Sequence, residues 1–125
     1  MIKQVEHDLG EEIINDLLDI AKRGRPEEVC GIIQDLGVYV VRELPNTFDG
    51  DKAHGFDMKV TPDMHDIRYI WHSHPGGMPS PSRDDIPCME VLAKHGHTYP
   101  WLIITDLSVT AWAYDLSRLI AKADN

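Results

Sequence analysis

Apolar residues recur along this chain with two different periods, and the changes between them outline its elements. Ile13, Ile14, Leu17, Leu18 and Ala21 recur with helical spacing, which predicts an amphipathic helix over residues 11–21. Glu11 and Glu12 at its start and Lys22 and Arg23 at its end complement the helix dipole, and Gly24 and Pro26 stop it. Residues 31–34 and 38–44 are β-rich, and the intervening Asp35-Leu36-Gly37 suits a short hairpin connection, so two antiparallel strands follow the helix. From Pro45 to Asp66 the chain is polar, broken by Gly50, Gly55 and Pro62, with a short extended candidate over 55–60. Residues 68–71 are rich in β-branched and aromatic types and predict a strand leading into His72 and His74. Ile86, Met89, Leu92 and Ala93 then predict a helix over 84–94, ended by Gly96, with Pro87 either placing the regular start close to Asp84 or Asp85 or bending the helix there. Residues 101–105 form a continuous apolar run suited to a buried strand. Val109 to Tyr114 is a second strand, with Thr110, Trp112 and Tyr114 on one face. Residues 117–125 read as a short helix or a tail. Helix, hairpin, strand, helix, strand, strand is the order of an α/β or α+β domain, a twisted mixed sheet with helices packed on it.

Composition narrows the picture. A chain of 125 residues is expected to be one domain, able to bury roughly two thirds of its unfolded surface. A formal charge of -9, with no basic run, argues against nucleic acid or a membrane surface as partner. The 2 cysteines, Cys30 and Cys88, make no disulfide framework and suit a reducing compartment. No signal peptide is visible, and the longest apolar runs fall far short of the roughly 20 residues a spanning helix needs.

The chemistry concentrates in Trp71-His72-Ser73-His74-Pro75-Gly76-Gly77-Met78-Pro79-Ser80-Pro81-Ser82-Arg83-Asp84-Asp85. Residues i and i+2 of a strand project from the same face, so His72 and His74 point together. The prolines and glycines that follow cannot continue the strand and turn the chain, which brings Asp85 back toward the imidazoles. Two nitrogens and one carboxylate oxygen make a three-ligand site of the kind catalytic zinc uses, with a water in the fourth position. Peptide hydrolysis also needs a base, and Glu28, at the entrance to the first predicted strand, is the candidate.

These residues resemble a family. Glu-x-Cys-Gly followed by His-x-His-Pro, six residues, Ser, two residues and Asp is the motif of the JAMM family of zinc metalloproteases, also called JAB or MPN domains. It is matched here by Glu28, Cys30, Gly31, His72, His74, Pro75, Ser82 and Asp85. The resemblance implies an MPN-like fold with cytidine-deaminase-like layering over residues 1–125. It implies Zn2+ held by His72, His74 and Asp85, with Glu28 as general acid/base and Ser82 as hydrogen-bond donor to the tetrahedral oxyanion. It further implies a peptidase or isopeptidase acting on a protein or peptide, such as a ubiquitin-like or phage tail-associated protein. The protein is then expected in the cytoplasm, or in the virion if phage-encoded. Small size and the form Trp-His-Ser-His-Pro-Gly-Gly look like prokaryotic and phage members. Pro81 to Ile86 is similar to the RadC-like branch, although Ser73 stands where that branch usually has asparagine. The alternative within the same fold is a non-catalytic scaffold or tail-assembly module with a structural zinc, but scaffolding members typically lose a ligand or the glutamate.

Other residues have ordinary readings. Ser82 and Asp85 also have the spacing of a helix-capping box, which is compatible with the catalytic reading. Cys30 reads as a small buried residue. His95 and His97 read as solvated, and His7, His54 and His65 show no partner. Trp71, Trp101 and Trp112 read as core or groove-lining aromatics. Substrate specificity is expected in residues 46–66.

Overall fold

The computed structural model describes residues 1–115. The helix or tail expected over 117–125 lies outside the described residues. The element order is β1 (Ile2–Val5), α1 (Glu11–Gly24), β2 (Cys30–Asp35), β3 (Tyr39–Leu44), β4 (Ile67–Ser73), α2 (Asp85–Lys94), β5 (Trp101–Ile104) and β6 (Val109–Tyr114). The strands form one sheet in the order β1-β6-β5-β4-β2-β3. All neighbours are antiparallel except β4 and β5, which run parallel with α2 as their crossover. The expected mixed sheet with flanking helices is therefore present.

The hairpin forms as its sequence requires. Gly37 takes a φ of 92°, the left-handed turn conformation, and its N–H donates to Asp35 Oδ1 at 3.2 Å. Pro87 falls within the first turn of α2, where its missing N–H costs nothing. Two elements differ from expectation. Residues 55–60 pair with no strand, although Phe56 and Met58 pack on the core while Asp57 and Lys59 face solvent. Strand β1 has no period-2 pattern and is held by β6, pairing Ile2 with Tyr114 and Val5 with Ala111.

Alternation along the strands divides the apolar side chains between two faces. Ile33, Tyr69, Trp71, Leu102 and Ile104 form one core with Leu17 and Ala21 of α1, and Ile32, Leu44, Ile70 and Trp101 form another with Met89 of α2. Each large side chain buried this way contributes on the order of 1.5–3 kcal/mol. His72 follows Ile70 in phase and pairs with Cys30 on β2 and Ile103 on β5, so it points to the α2 face. A histidine thus occupies a core position at the end of a central strand.

Candidate metal centre

Four acidic or imidazole side chains meet where β4 ends and α2 begins. His72 closes β4. His74 lies one residue past it and keeps the ladder going through its N–H, which donates to Ile104 O at 2.8 Å. Asp85 is the first residue of α2, aimed back at the strand by a reciprocal pair: Ser82 N–H donates to Asp85 Oδ2 at 2.8 Å and Asp85 N–H donates to Ser82 Oγ at 3.1 Å. Glu28 precedes β2. Its N–H donates to Lys52 O at 2.7 Å, and the next residue is tied to the end of β4, Val29 N–H donating to Ser73 Oγ and Ser73 N–H to Val29 O, both at 2.9 Å. The sequence-expected Glu28, His72, His74, Ser82 and Asp85 are brought together.

The donor atoms are tightly convergent. His72 Nε2 and His74 Nε2 lie 3.0 Å apart, and each is 3.1 Å from Asp85 Oδ2. Three mutual contacts cannot all be hydrogen bonds. Two protonated nitrogens oppose one another, and a single proton leaves two lone pairs face to face. His74 decides the matter further. Its Nδ1 lies 2.9 Å from Met78 O, a carbonyl that only accepts, so Nδ1 carries a proton and, whenever the ring is neutral, Nε2 presents a bare lone pair to Asp85. A cation relieves that opposition, and the set of two imidazoles and a carboxylate is chemistry zinc accepts. His72 is fully buried, and among the described residues its Nδ1 has no hydrogen-bond partner. Glu28 completes the group: ligand atoms of Glu28, His72 and His74 all lie within 4.8 Å of one another, an arrangement that could hold a metal ion.

A profile of prokaryotic homologs of the JAB domain matches residues 10–116. The chain belongs to this family. Comparison with curated proteins gives no match. Within the JAB domain, burial and charge set the protonation of the centre. Burial pushes the Glu28 carboxyl up to about 7, with the His74 charge pulling down and Asp85 adding to the rise. Burial would raise Asp85 too, but the imidazoles of His72 and His74, which donate to it when protonated, outweigh burial and hold the carboxyl well below the usual carboxylate range. Burial lowers His72. At His74 burial also pulls down, yet the Asp85 and Met78 bonds prevail and the ring is raised.

A cleft of about 340 Å³ opens beside the centre, lined by Glu28, His54, His74, Met78 and Ser82 among others. Ser82 is exposed to it. The opposite side of the centre is closed by residues the sequence did not single out as site residues. Phe56 stacks on His72 with ring centroids 4.1 Å apart, and Trp101 meets the same imidazole edge-on at 5.7 Å. Asn46 accounts for the position of Phe56: its Nδ2 donates to Glu28 O at 2.9 Å and Gly55 O at 3.1 Å, and its Oδ1 accepts from Phe48 N–H at 3.0 Å and Asp57 N–H at 3.2 Å. The pattern offered one signal for Phe56, an aromatic inside the extended candidate of a polar connection. The remaining histidines have local partners: His7 accepts the Leu9 N–H, His54 lies by Asp51, His65 by Asp66, His95 by Val91 O and His97 by the Tyr99 ring. Among the described residues no helix is long and apolar enough to cross a membrane.

Proposed function

We propose that this JAB domain is a zinc-dependent peptidase or isopeptidase, with His72, His74 and Asp85 as ligands and Glu28 as the general acid/base. The observation that supports it most is the convergence of His72 Nε2 and His74 Nε2 on Asp85 Oδ2, with His74 Nδ1 turned to Met78 O, beside a buried carboxyl that opens on a cleft. Asp85 is assigned as third ligand over Glu28 because its oxygen stands 3.1 Å from both imidazoles and is held there by Ser82 N–H. Zinc, when bound, supplies Lewis-acid activation of a water and of the scissile carbonyl.

The chain's own residues then do the proton work. Glu28 as carboxylate takes a proton from the attacking water as its oxygen bonds the carbonyl carbon, and returns that proton to the leaving nitrogen as the C–N bond breaks. A carboxyl raised toward neutrality suits both halves of that cycle. Ser82 Oγ accepts the Asp85 N–H, which leaves its own O–H free to donate to the oxyanion. The cleft admits an extended segment of a protein or peptide, such as the tail of a ubiquitin-like or phage tail-associated protein.

The test compares zinc content and cleavage of lysine isopeptide conjugates and tail-peptide fusions. Glu28→Gln is expected to keep zinc and lose hydrolysis about 10²–10⁴-fold, whereas Asp85→Ala is expected to lose zinc. The reverse pattern would make Glu28 the ligand. Full zinc occupancy without cleavage of any substrate would support the scaffold reading.

A further inference from the structure

The segment between His74 and Asp85, residues 75–84, carries no regular structure and must nevertheless deliver two donor groups to one point. Near His74 it is held by Gly77 N–H on His74 O at 2.9 Å and by the His74 Nδ1 bond to Met78 O. Near Asp85 it is held by the Ser82 pair. Between these, one atom fixes it to the sheet. Pro79 O accepts the Thr110 hydroxyl at 2.6 Å and the Trp112 indole N–H at 3.0 Å, and that N–H also reaches Thr110 Oγ1 at 3.0 Å. Thr110 and Trp112 are alternate residues of β6, so they present the same face, and β6 is separated from β4 by β5. Both spend their polar atoms on a loop carbonyl that water could otherwise satisfy.

The position of that carbonyl matters because Met78, whose own carbonyl sets the His74 tautomer, is its neighbour. We infer that Thr110 and Trp112 are positioning residues of the metal centre. By gripping Pro79 O they hold Met78 O on His74 Nδ1, so that Nε2 is turned toward His72 and Asp85 before a cation arrives. Partners one step behind a ligand commonly govern metal affinity in this way. The inference rests on the zinc site proposed above and extends it to a strand that contributes no ligand.

The test uses the full chain, zinc alone as the probe, and two readouts: zinc affinity by competition with a chromophoric chelator, and urea unfolding of the metal-free protein. Thr110→Val keeps the shape of the side chain and removes the hydroxyl, and Trp112→Phe removes the indole N–H. The double variant is expected to bind zinc about 10-fold more weakly with metal-free unfolding close to wild type, and Thr110→Ser is expected to bind as wild type does. Wild-type affinity in the double variant would overturn the inference, as would a loss of affinity that Thr110→Ser fails to restore. If Trp112→Phe does not fold, the Val and Ser variants of Thr110 carry the comparison. If the wild type binds no zinc, the functional proposal fails, and the grip is read separately by hydrogen exchange in the metal-free protein. Faster exchange at Gly76, Gly77 and Met78 in Thr110→Val would sustain it, and unchanged exchange would overturn it.

Discussion

Gly31 shows how a single residue constrains this centre without touching it. A Cβ there would collide with Arg42 O on β3 and stand 2.5 Å from Trp71 Cζ2, because the Trp71 indole lies across the glycine and donates Nε1–H to Ile32 O at 3.2 Å. Trp71 is fully buried and immediately precedes His72, so room at Gly31 sets the seat of that histidine. Gly31→Ala is expected to destabilise the protein by about 3 kcal/mol or more, the upper range for overpacking, because a backbone oxygen cannot rotate away as a side chain can. Urea unfolding of the metal-free protein checks it, and a loss below about 1 kcal/mol would mean that β2 and β3 part easily. The need for glycine at this position was visible in the sequence through the family pattern. Its cause was not, since neither Trp71 nor Arg42 is near it in the chain.

At the scale of elements, the connection 46–66, expected to carry specificity, lines the cleft through Ala53 and His54 and also forms a clasp centred on Asn46, which uses both amide protons and its oxygen on four backbone groups. The clasp anchors Glu28 O and carries Phe56 onto His72. Asn46→Asp keeps the two accepted bonds but turns acceptors toward Glu28 O and Gly55 O, whereas Asn46→Ala removes all four. Both are expected to lower stability by about 1–3 kcal/mol and to slow hydrolysis while zinc stays bound. Undisturbed hydrolysis in Asn46→Asp would separate the clasp from Glu28. A second tether holds the segment leading into α1: Asp8 accepts the Tyr39 and Tyr69 hydroxyls at 2.5 Å each. These bonds lower the Asp8 pKa, the Tyr39 bond most, so the folded state binds fewer protons than the unfolded chain as pH falls toward and below 3.8. The stabilisation is therefore present above that range and lost on acidification. Tyr39→Phe should have a lower urea midpoint than wild type at pH about 7, and the gap should close as pH falls through the carboxylate range; a gap independent of pH would assign the loss to packing.

The whole molecule explains why the residues proposed as ligands could be picked out along the sequence and the arrangement around them could not. His72, His74, Ser82 and Asp85 lie within a single strand, turn and helix start, where period and turn chemistry act locally. The order β1-β6-β5-β4-β2-β3 is non-local, and with it come Glu28 beside His72, β6 gripping Pro79 and the capture of β1, whose own pattern is too weak to announce a strand. The two faces meet the same limit: alternation shows that His72 and Trp71 point oppositely, but only the sheet order shows which helix covers each. A centre assembled from β4, α2 and the approach to β2 makes metal binding a property of the folded chain as a whole, because the unfolded chain cannot hold these donors together. Zinc at about 100 times its dissociation constant should then add roughly 2.7 kcal/mol to folding, or on the order of 10 °C in Tm for a domain of this size. The shift should vanish in Asp85→Ala and reverse with chelator. Its pH dependence has a fixed sign, since protons compete with the metal for imidazole nitrogen and the raised His74 takes them up first, so the zinc-induced shift must shrink as pH falls. Calorimetry with and without zinc across pH about 5–8 measures this directly. An equal shift at both ends would mean that the imidazoles are not the ligands, and an equal shift in Asp85→Ala would move the third ligand to Glu28.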